Sequence, residues 1–534
     1  MTLPFNHSTR LQSFDDLIKD PVDLLIIGGG ITGAGIARDA AMRGLRVGII
    51  DRSDFAYGTS SRSSKLIHGG LRYLSHFAFG LIRQSSLERR VLHGLAPHLC
   101  EPLGFCLPLY KRDSHSLLAL RAGLFVYDVL CSFTNFKSHK ILGSSEVGEL
   151  HPYLTADGLK GGGYYFDALT NDARLTLANI RSAARAGAAV LNYVELLEFE
   201  TRGGKIIAAR IRDRETGKEG VVHALRYINA GGPWVDRIRT LADSHAQPWL
   251  RLSKGSHIVL PHQRLPIENA IGFSNPADGR TMFLIPWAGR TVVGTTETDF
   301  EGDIDDVDPT MQDVDYLLDP MRSLFPESEI GYSDVLCSWS GLRPLVGNLD
   351  GHASDVRREH RVEIEPNGLL SVAGGKLTTY RSMAEEVLRV ALEGLETSRV
   401  TSSCTTMDDP LVVDPEGPDL EKELRDPLVS LYGPETKVLA RMMSADTTLG
   451  RRISDNPLLL SAQVAFALEH EMALHVNDVL TRRLPHIFQA DDLGARVVEP
   501  VAQLMGQRLG WDDSRVTQEI ESYTERMAKS RPHR

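Results

Sequence analysis

The sequence predicts an α/β protein in which a nucleotide-binding parallel sheet is interrupted by an α+β domain and followed by an all-α C-terminal domain. Three observations lead to this prediction. A strand, a glycine-rich turn, a helix and a second strand follow one another near the N-terminus. Two more strands end in glycine far along the chain, at residues 227–232 and 369–375. Beyond a stretch rich in Ser, Thr, Pro and Asp, apolar residues recur at helical spacing.

The N-terminal unit starts with a buried strand at residues 22–27 and continues as GGGITG, which satisfies GxGxxG. Gly28 permits the tight turn, Gly30 lets the backbone approach a pyrophosphate, and Gly33 allows the helix to pack closely on the strand. Asp51 ends the second strand, where an acid binds a ribose 2′-hydroxyl and disfavours a 2′-phosphate. These features together predict a dinucleotide site and leave NAD and FAD as alternatives.

The long intervals between the strand–glycine junctions indicate one nucleotide-binding domain split by insertions. Residues 1–20 are expected to form a polar tail, and the segment from residue 80 to residue 135 is expected to be mostly helical. The predicted division is a discontinuous nucleotide-binding domain at residues 22–90, 155–250 and 335–396, a substrate domain at residues 91–154 and 251–334, a linker at residues 397–419 and a helical domain at residues 420–534.

Composition narrows the class of protein. With 42% hydrophobic residues among 534, the chain can bury a large core, which excludes a disordered protein. The formal charge of −11 argues against nucleic acid as a partner. The five cysteines include no CxxC pair, so zinc and iron–sulfur sites lack their ligand spacing. Neither a signal-peptide pattern nor a run of about 20 apolar residues is found, so we expect a reduced, cytoplasmic protein.

Two charged segments superficially suggest metal ligands. His470 and His475 enclose HExxxH, but their spacing turns the two rings about 140° apart on a helix, so a solvated charged face is expected there. Residues 299–308 hold six acids without the glycine and terminal Glu of a calcium loop, which predicts a surface loop. No metal site is predicted, and the absence of GxSxG removes the nucleophile elbow of the α/β-hydrolases.

Several long motifs, in the same order, resemble those of the FAD-dependent (aerobic, respiratory) glycerol-3-phosphate dehydrogenases. The resemblance runs from about residue 23 to residue 393, and more loosely through residues 469–483. The motifs are GGGITGAGIARDA at residues 28–40 followed by Asp51, TSSRSSKLIHGGLRY at 59–73, KGSHIV at 254–259, GTTE at 294–297, SGLRPL at 340–345 and GGKLTTYR at 374–381.

This resemblance implies a Rossmann-like FAD-binding domain of the glutathione-reductase or D-amino-acid-oxidase type. The run of small hydroxyl residues at 59–64 can bring donors against a flat polar ring, and the helix after residue 377 can stabilise negative charge on the flavin. The predicted FAD contacts are Gly28, Gly30, Gly33, Asp51, Thr59, Ser60, Ser61, Ser64, Lys65, Leu66, His68, Gly231, Gly375, Lys376, Leu377 and Thr378.

The implied reaction is oxidation of sn-glycerol 3-phosphate to dihydroxyacetone phosphate by hydride transfer from C2 to flavin N5. Such chemistry needs cations for the phosphate and a base for the hydroxyl proton. Arg343 and His68 are the predicted catalytic residues, and His257 competes with His68 as the base; we favour His68, with His257 as a substrate ligand. The predicted substrate contacts are Arg72, Tyr73, His257, Arg343, Arg358 and Lys376.

The same resemblance implies that electrons pass to a membrane quinone. The apolar segment at residues 117–133 either lies along a membrane interface or forms a buried helix of the substrate domain. Arginine pairs at residues 89–90, 451–452 and 482–483 are expected on solvated faces, with contact to anionic lipid as the alternative. We expect a homodimer through the helical domain. A glycerol-3-phosphate oxidase, an amino-acid- or sarcosine-oxidase-like enzyme and a non-catalytic flavin-binding protein remain as alternative functions.

Overall fold

The computed structural model of the protein describes residues 4–113, 115–347, 360–395, 399–400 and 402–532. The strands in chain order are β1 (Val22–Ile27), β2 (Val47–Ile50), β3 (Leu66–Ile67), β4 (Glu101–Tyr110), β5 (Lys140–Gly143), β6 (Leu159–Leu169), β7 (Ala189–Leu191), β8 (Val194–Arg202), β9 (Lys205–Asp213), β10 (Glu219–Val222), β11 (Ala224–Asn229), β12 (Leu250–Pro261), β13 (Ala270–Ser274), β14 (Thr281–Trp287), β15 (Arg290–Gly294), β16 (Thr298–Asp299), β17 (Cys337–Val346), β18 (His360–Ile364), β19 (Leu369–Gly374), β20 (Arg452–Asp455) and β21 (Leu458–Leu460). The α-helices are α1 (His7–Lys19), α2 (Ile31–Met42), α3 (Phe79–Leu95), α4 (Leu117–Leu130), α5 (Ser144–Leu150), α6 (Asp172–Arg185), α7 (Val235–Ala242), α8 (Met311–Leu324), α9 (Tyr380–Leu392), α10 (Lys422–Tyr432), α11 (Thr436–Ala445), α12 (Ser461–His470), α13 (His486–Gln489), α14 (Val498–Leu509) and α15 (Asp513–Ser530).

The nucleotide-binding sheet has the order β18–β19–β11–β1–β2–β7, parallel except for the edge strand β18. Its central strand β1 is buried along its whole length, which explains its nearly continuous apolar sequence. Leu24 and Ile26 pack under α2, α6 and α9. Leu25 and Ile27 point to the other face, which α1 and the three-stranded sheet β10–β9–β8 cover. The carboxyl ends of the parallel strands are therefore left as the open edge of the sheet.

A second, mixed sheet faces that open edge. Its order is β16–β12–β15–β14–β13–β4–β6–β3, with β17 added to β12 and β5 added to β6. The long antiparallel pair β12–β17 sets His257 opposite Trp339 and Ser253 opposite Arg343. Helix α8 packs on one side of this sheet in an apolar cluster that includes Leu317 and Met321. The pairing brings residues far apart in sequence to the same wall.

The C-terminal part of the chain is helical from α10 to α15, apart from the short hairpin β20–β21. Buried ion pairs join it to the nucleotide-binding part of the chain, including Arg174–Glu471 and a pair between Arg483 and Asp54. The expectation of a solvated charged face at residues 470–475 was therefore wrong, since Glu471 is fully buried. Arg89, Arg482 and Arg483 are buried, contrary to the expectation of solvated faces, because each has a buried carboxylate partner. The expectation is confirmed for the pair at residues 451–452 and for Arg90, which are exposed.

One further expectation was wrong. The expected polar tail is largely helix α1, which is anchored by the fully buried Arg10 through an ion pair of 2.7 Å to Asp213. The stretch from residue 80 to residue 135 is mostly helical, as expected, but it also contains strand β4, whose prolines at 102 and 108 argue against a central strand. The neighbouring strand β13 meets β4 only at Phe105 and Cys106, so both prolines lie where β4 pairs on one side alone.

Within the ranges given above, no helix combines the length and apolar composition needed to cross a membrane.

Candidate active site

A cavity of about 450 Å³ lies where the carboxyl edge of the parallel sheet meets the mixed sheet. The residues that follow β1, β2, β11 and β19 all line it, namely Gly28, Asp51, Gly231 and Gly375. Ligands of open α/β sheets bind at this edge, because the loops after parallel strands converge there. The cavity is elongated between two chemically different ends, a glycine-rich end and a cationic end.

The glycine-rich end fits a dinucleotide pyrophosphate. A Cβ atom on Gly33 would overlap the carbonyl oxygen of Gly28, and a Cβ on Gly28, at φ +118°, would overlap that of Ala230. Gly30 is the N-cap of α2, and it lines the cavity together with Ile31 and Thr32 at the start of that helix. Ser60 Oγ accepts the N–H of Ile31 at 2.9 Å. Side chains would fill this cradle, and their absence leaves room for two phosphates.

Asp51 stands at the tip of β2, as a ribose-binding acid must. Its carboxylate accepts the N–H of Gly29 at 2.7 Å and that of Ser53 at 2.8 Å, which fixes its orientation. Burial raises the pKa of Asp51 to about 6, against the opposing effect of these two hydrogen bonds. The acid is thus held rigidly at the wall of the cavity.

Lys65 holds the hydroxyl-rich loop at residues 59–66 in place through its own buried side chain. Its Nζ atom lies 2.7 Å from Asp172 Oδ1 and donates to the carbonyl oxygen of Ser61 at 2.7 Å. The ammonium also lies 5.1 Å from the ring centre of Trp287 and 5.2 Å from that of Trp339. Burial lowers the pKa of Lys65, which the charge of Asp172 partly offsets. Its side chain is thus committed to holding the loop in place, and Lys65 does not line the cavity.

Arg343 projects from β17 into the cationic end. Its guanidinium donates to Thr295 Oγ1 at 2.9 Å and to the carbonyl oxygen of Thr296 at 3.3 Å. A Cβ on Gly255, in the adjacent strand β12, would overlap the guanidinium, so glycine is required beside it. Arg343 is therefore oriented by its neighbours, and a fixed guanidinium can offer two parallel donors to a phosphate.

His257 lies next to this guanidinium. Its ring stacks on Trp339 with the centroids 5.0 Å apart, and its Nε2 atom lies 2.8 Å from Ser64 Oγ. Nδ1 is buried and has no hydrogen-bond partner among the described residues. Burial, together with the charges of Arg343 and Lys65, holds the pKa of His257 well below its ordinary value. The imidazole is therefore neutral at physiological pH.

His68 sits on the opposite wall, in the turn before a 3-10 helix at Leu71–His76. Its backbone N–H donates to Thr378 Oγ1 at 3.2 Å, which joins this turn to the segment after β19. Lys376 from that segment places Nζ 3.6 Å from the ring centre of Tyr73, and Arg72 lies against the same ring with Cζ at 5.8 Å. The tertiary structure thereby brings Lys376 against the ring of Tyr73, beside Arg72, in a cavity that His68 also lines.

Sequence reasoning missed Asp167, a buried acid on β6 that lines the same cavity. It accepts the N–H of Gly69 at 2.8 Å and pairs with Arg89. Burial raises the pKa of Asp167, and the charge of Arg89 opposes that rise. The available signal was a single acid inside the apolar strand YYFDAL, since an acid there must be paired to be buried.

Among the predicted contacts that the structure describes, all but three line the cavity. Those that line it are Gly28, Gly30, Asp51, Thr59, Ser60, Ser64, Leu66, His68, Arg72, Tyr73, Gly231, His257, Arg343, Gly375, Lys376, Leu377 and Thr378. Gly33 packs beneath Gly28, and Ser61 and Lys65 face away from the cavity lining. Arg358 lies outside the described residues. Across the part of the chain that the structure describes, no cluster of three or more His, Cys, Asp and Glu side chains is arranged to hold a metal ion.

Comparison with known proteins identifies relatives over the whole chain. Residues 23–381 match the family described as FAD dependent oxidoreductase, and residues 371–516 match the C-terminal domain of alpha-glycerophosphate oxidase. The chain is 34% identical to the aerobic glycerol-3-phosphate dehydrogenase of Bacillus subtilis (strain 168), with 96% of each chain covered. It is 34% identical to the glycerol-3-phosphate dehydrogenase of Synechocystis sp., covering 97% of this chain and 99% of that one. The X-ray structure of the glycerol-3-phosphate dehydrogenase from Bacillus halodurans, complexed with FAD, superposes with a TM-score of 0.79 at 30% identity and 98% coverage of both chains.

Proposed function

The chain belongs to the FAD-dependent glycerol-3-phosphate dehydrogenase family, and we propose that it oxidises sn-glycerol 3-phosphate to dihydroxyacetone phosphate. The observation that carries this proposal is that one cavity is lined both by the dinucleotide cradle and by the three cations Arg72, Arg343 and Lys376. A phosphate monoester needs such cations, whereas an amino-acid carboxylate needs fewer. The cationic end therefore favours glycerol phosphate over the amino-acid-oxidase alternative.

The cradle at Gly28 and Gly30, the acid Asp51 and the hydroxyl-rich loop at residues 59–66 would hold FAD. Bound FAD supplies the acceptor for the hydride that leaves C2 of the substrate. The residues of the chain bind and orient: Arg343, already fixed by Thr295, offers paired donors to the phosphate, and Lys376 adds a point charge. Tyr73 sets the position of Lys376 through the face of its ring. Orientation of this kind brings the reacting carbon to one place relative to the cofactor.

His68 is the base in this proposal, and His257 is a substrate ligand. A base must gain a proton when the hydroxyl group loses its own, and His257 resists protonation because it is buried beside Arg343 and Lys65. A neutral His257 can still bind the substrate by a hydrogen bond. Its Nε2 atom is taken by Ser64, and its Nδ1 atom has no partner among the described residues. His68 stands in a turn whose backbone is held on both sides, by Thr378 and through Gly69 by Asp167. The two histidines thus divide proton transfer and substrate binding between them.

An exposed apolar surface on α4 supports a membrane quinone as the electron acceptor. Leu118, Phe125 and Val129 lie on one side of this helix with 76%, 55% and 46% of their surface exposed, and Phe133 beyond it is 66% exposed. Tyr127 on the opposite side is fully buried. The inward side of such a helix packs on the protein core, and its outward apolar side is suited to contact with an apolar environment such as the acyl chains of a membrane. The alternative of a wholly buried helix at residues 117–133 was therefore wrong.

One short 3-10 helix lies between α4 and the cavity. The 3-10 helix Leu71–His76 packs against α4. Its Leu71, Arg72 and Tyr73 line the cavity, and Phe77, which follows it, is 77% exposed. A lipid-soluble acceptor at the α4 surface would therefore lie one short helix away from the substrate end. We propose that the enzyme works at the surface of a membrane and reduces a quinone there. A homodimer through the helical domain stays a prediction.

Anaerobic titration of the purified holoenzyme with sn-glycerol 3-phosphate tests the main proposal. We expect stoichiometric loss of the oxidised flavin absorbance and formation of dihydroxyacetone phosphate. Bleaching by glycine, sarcosine or proline instead would identify an amine oxidase, and bleaching by none of these substrates would identify a non-catalytic flavin protein. Turnover in air with and without a soluble quinone separates the acceptors, since an oxidase forms one peroxide for each substrate and a quinone-linked dehydrogenase forms little.

A further inference from the structure

The acidic segment between β16 and α8, which was expected to be a surface loop, forms specific contacts with the nucleotide-binding part of the chain. It leaves the mixed sheet at Asp299 and crosses to the glycine-rich end of the cavity before α8 begins at Met311. Asp305, near its middle, is only 32% exposed although it is a loop carboxylate. A partly buried acid requires partners, and these lie in a different part of the chain.

Three donors from the nucleotide-binding part of the chain converge on the Asp305 carboxylate. Trp234 Nε1 donates to it at 2.6 Å, Arg52 at 2.6 Å and Arg237 at 2.7 Å. All three donor residues line the cavity, and Arg52 directly follows the ribose-binding acid Asp51. The three donors hold the pKa of Asp305 below its ordinary value despite its partial burial, so the group is charged at neutral pH. The loop is thus bound to the rim of the nucleotide end.

Other residues of the segment form bonds to the hydroxyl-rich loop and to α15. Arg62 from the hydroxyl-rich loop donates to the carbonyl oxygen of Val307 at 3.4 Å. Lys529 of α15 pairs with Asp306, and Arg526 lies 3.6 Å from Asp308. The acidic segment is therefore bound to the nucleotide-binding part of the chain, to the hydroxyl-rich loop and to α15. None of its described residues lines the cavity, so its effect on the cavity passes through Arg52, Trp234 and Arg237, which do.

We propose that Asp305 is a positioning residue that fixes the cavity wall beside Asp51, where the adenosine part of FAD would lie, and thereby slows the release of FAD. It acts through Arg52, Trp234 and Arg237, which it holds in that wall, and it touches neither the substrate nor the reacting atoms. Arg52 and Arg237 are 39% and 47% exposed, so salt screens their attraction to Asp305. This inference rests on occupancy of the cavity by FAD and is independent of which substrate is oxidised.

The test is the rate of FAD release from holoenzyme, followed by the rise in flavin fluorescence after dilution. Asp305→Asn removes the charge with little change in shape, and we expect release to be about tenfold faster. Glu301→Gln removes the same charge from the same loop at an exposed position and should release FAD at the wild-type rate. Higher salt should accelerate release from the wild type and have a weaker effect on Asp305→Asn, a difference that a merely structural residue would not produce.

Arg237→Gln provides a second variant that leaves the acidic loop unchanged, and it should also speed release. Thermal unfolding of each variant shows that a folded protein is compared in every case. Release from Asp305→Asn and Arg237→Gln at the wild-type rate would overturn the inference, as would equal acceleration by Glu301→Gln. If the wild type binds one FAD per chain and the variants release it at the wild-type rate, only the role of Asp305 is overturned. If the wild-type chain takes up no FAD, the proposed function is overturned as well.

Discussion

The carboxylate of Asp167 accepts the backbone N–H of Gly69 at 2.8 Å, although 98 residues separate the two in sequence. Tyr127 of α4 donates its hydroxyl to the same carboxylate oxygen at 3.3 Å, and Arg89 of α3 pairs with it. Gly69 follows His68, so this buried acid fixes the turn that carries the proposed base. A Cβ on Gly69 would overlap the hydroxyl group of Tyr127, which explains the glycine at this position.

Asp167→Asn should destabilise the enzyme and slow its turnover. Arg89 would remain buried without a charged partner, and breaking a buried ion pair in this way lowers the free energy of unfolding by about 3 kcal/mol. Urea denaturation of the holoenzyme measures that change, and steady-state kinetics measures kcat. Asp157→Asn, at an exposed position, should alter neither quantity. Equal stability of Asp167→Asn and the wild type would contradict the structural role of the ion pair.

Gly33→Ala should abolish tight binding of FAD. The new methyl group would overlap the carbonyl oxygen of Gly28 and force α2 away from β1, with a loss of affinity of at least about tenfold. The ratio of flavin to protein absorbance after purification measures this effect. Gly94→Ala is the matched control, because a Cβ at that position in α3 meets no atom within 4 Å. Full FAD content in Gly33→Ala would show that the cradle tolerates a side chain.

Replacement of the two histidines should separate kcat from KM. His68→Asn removes the proposed base, so we expect kcat to fall about 10²- to 10⁴-fold with a smaller change in KM. His257→Asn removes a neutral ligand and should mainly raise KM for glycerol 3-phosphate. Kinetics with an artificial electron acceptor, measured across the pH range, distinguishes the two effects. The reverse pattern, with kcat lost in His257→Asn alone, would assign the base to His257.

The apolar surface on α4 should control binding to vesicles of phosphatidylethanolamine and phosphatidylglycerol. Leu118→Ser combined with Phe125→Ser removes two exposed side chains, and we expect vesicle partitioning to fall more than about tenfold. Leu225→Ser with Val413→Ser is the matched control, since those residues are 51% and 54% exposed elsewhere on the surface. Sedimentation with vesicles measures the partitioning. Similar losses in both double variants would show that the α4 surface has no special role.

Stability should fall as the pH is lowered from about 6.5 to about 4. Burial lowers the pKa of His151 to about 4, and the histidines at 98, 470 and 486 have a pKa lowered similarly. In this window the unfolded chain binds protons that the folded chain does not, so acid favours unfolding. His151→Gln should therefore reduce the slope of unfolding free energy against pH by up to about 1.4 kcal/mol per pH unit. The exposed His245→Gln should leave the slope unchanged, and an unchanged slope in His151→Gln would contradict this assignment.

Short-range patterns predicted much of the fold. The strand at residues 22–27 occurs with the same bounds, and the helix that the small-residue pattern predicts over residues 32–43 is α2, Ile31–Met42. These elements could be predicted because each depends on residues that are close together in the chain. They are a run of buried apolar residues, a turn that only glycine permits and a helix face of small residues. The same reasoning failed at β4, where prolines masked a strand, and at α1, where a polar sequence masked the buried contacts of Arg10.

The sequence by itself determined the class of cofactor and the strand–helix–strand unit that begins the sheet, and most of the contacts it predicted line the cavity. Only the tertiary structure decided which charges are buried and what they hold: Lys65 holds its own loop, Asp167 the turn after His68, and Asp305 three residues of the cavity wall. The physical reason is that the desolvation of a charge and the distance to its partner depend on segments that lie between 68 and 253 residues apart in these pairs. Such pairs leave no periodicity and no spacing that can be read along the chain.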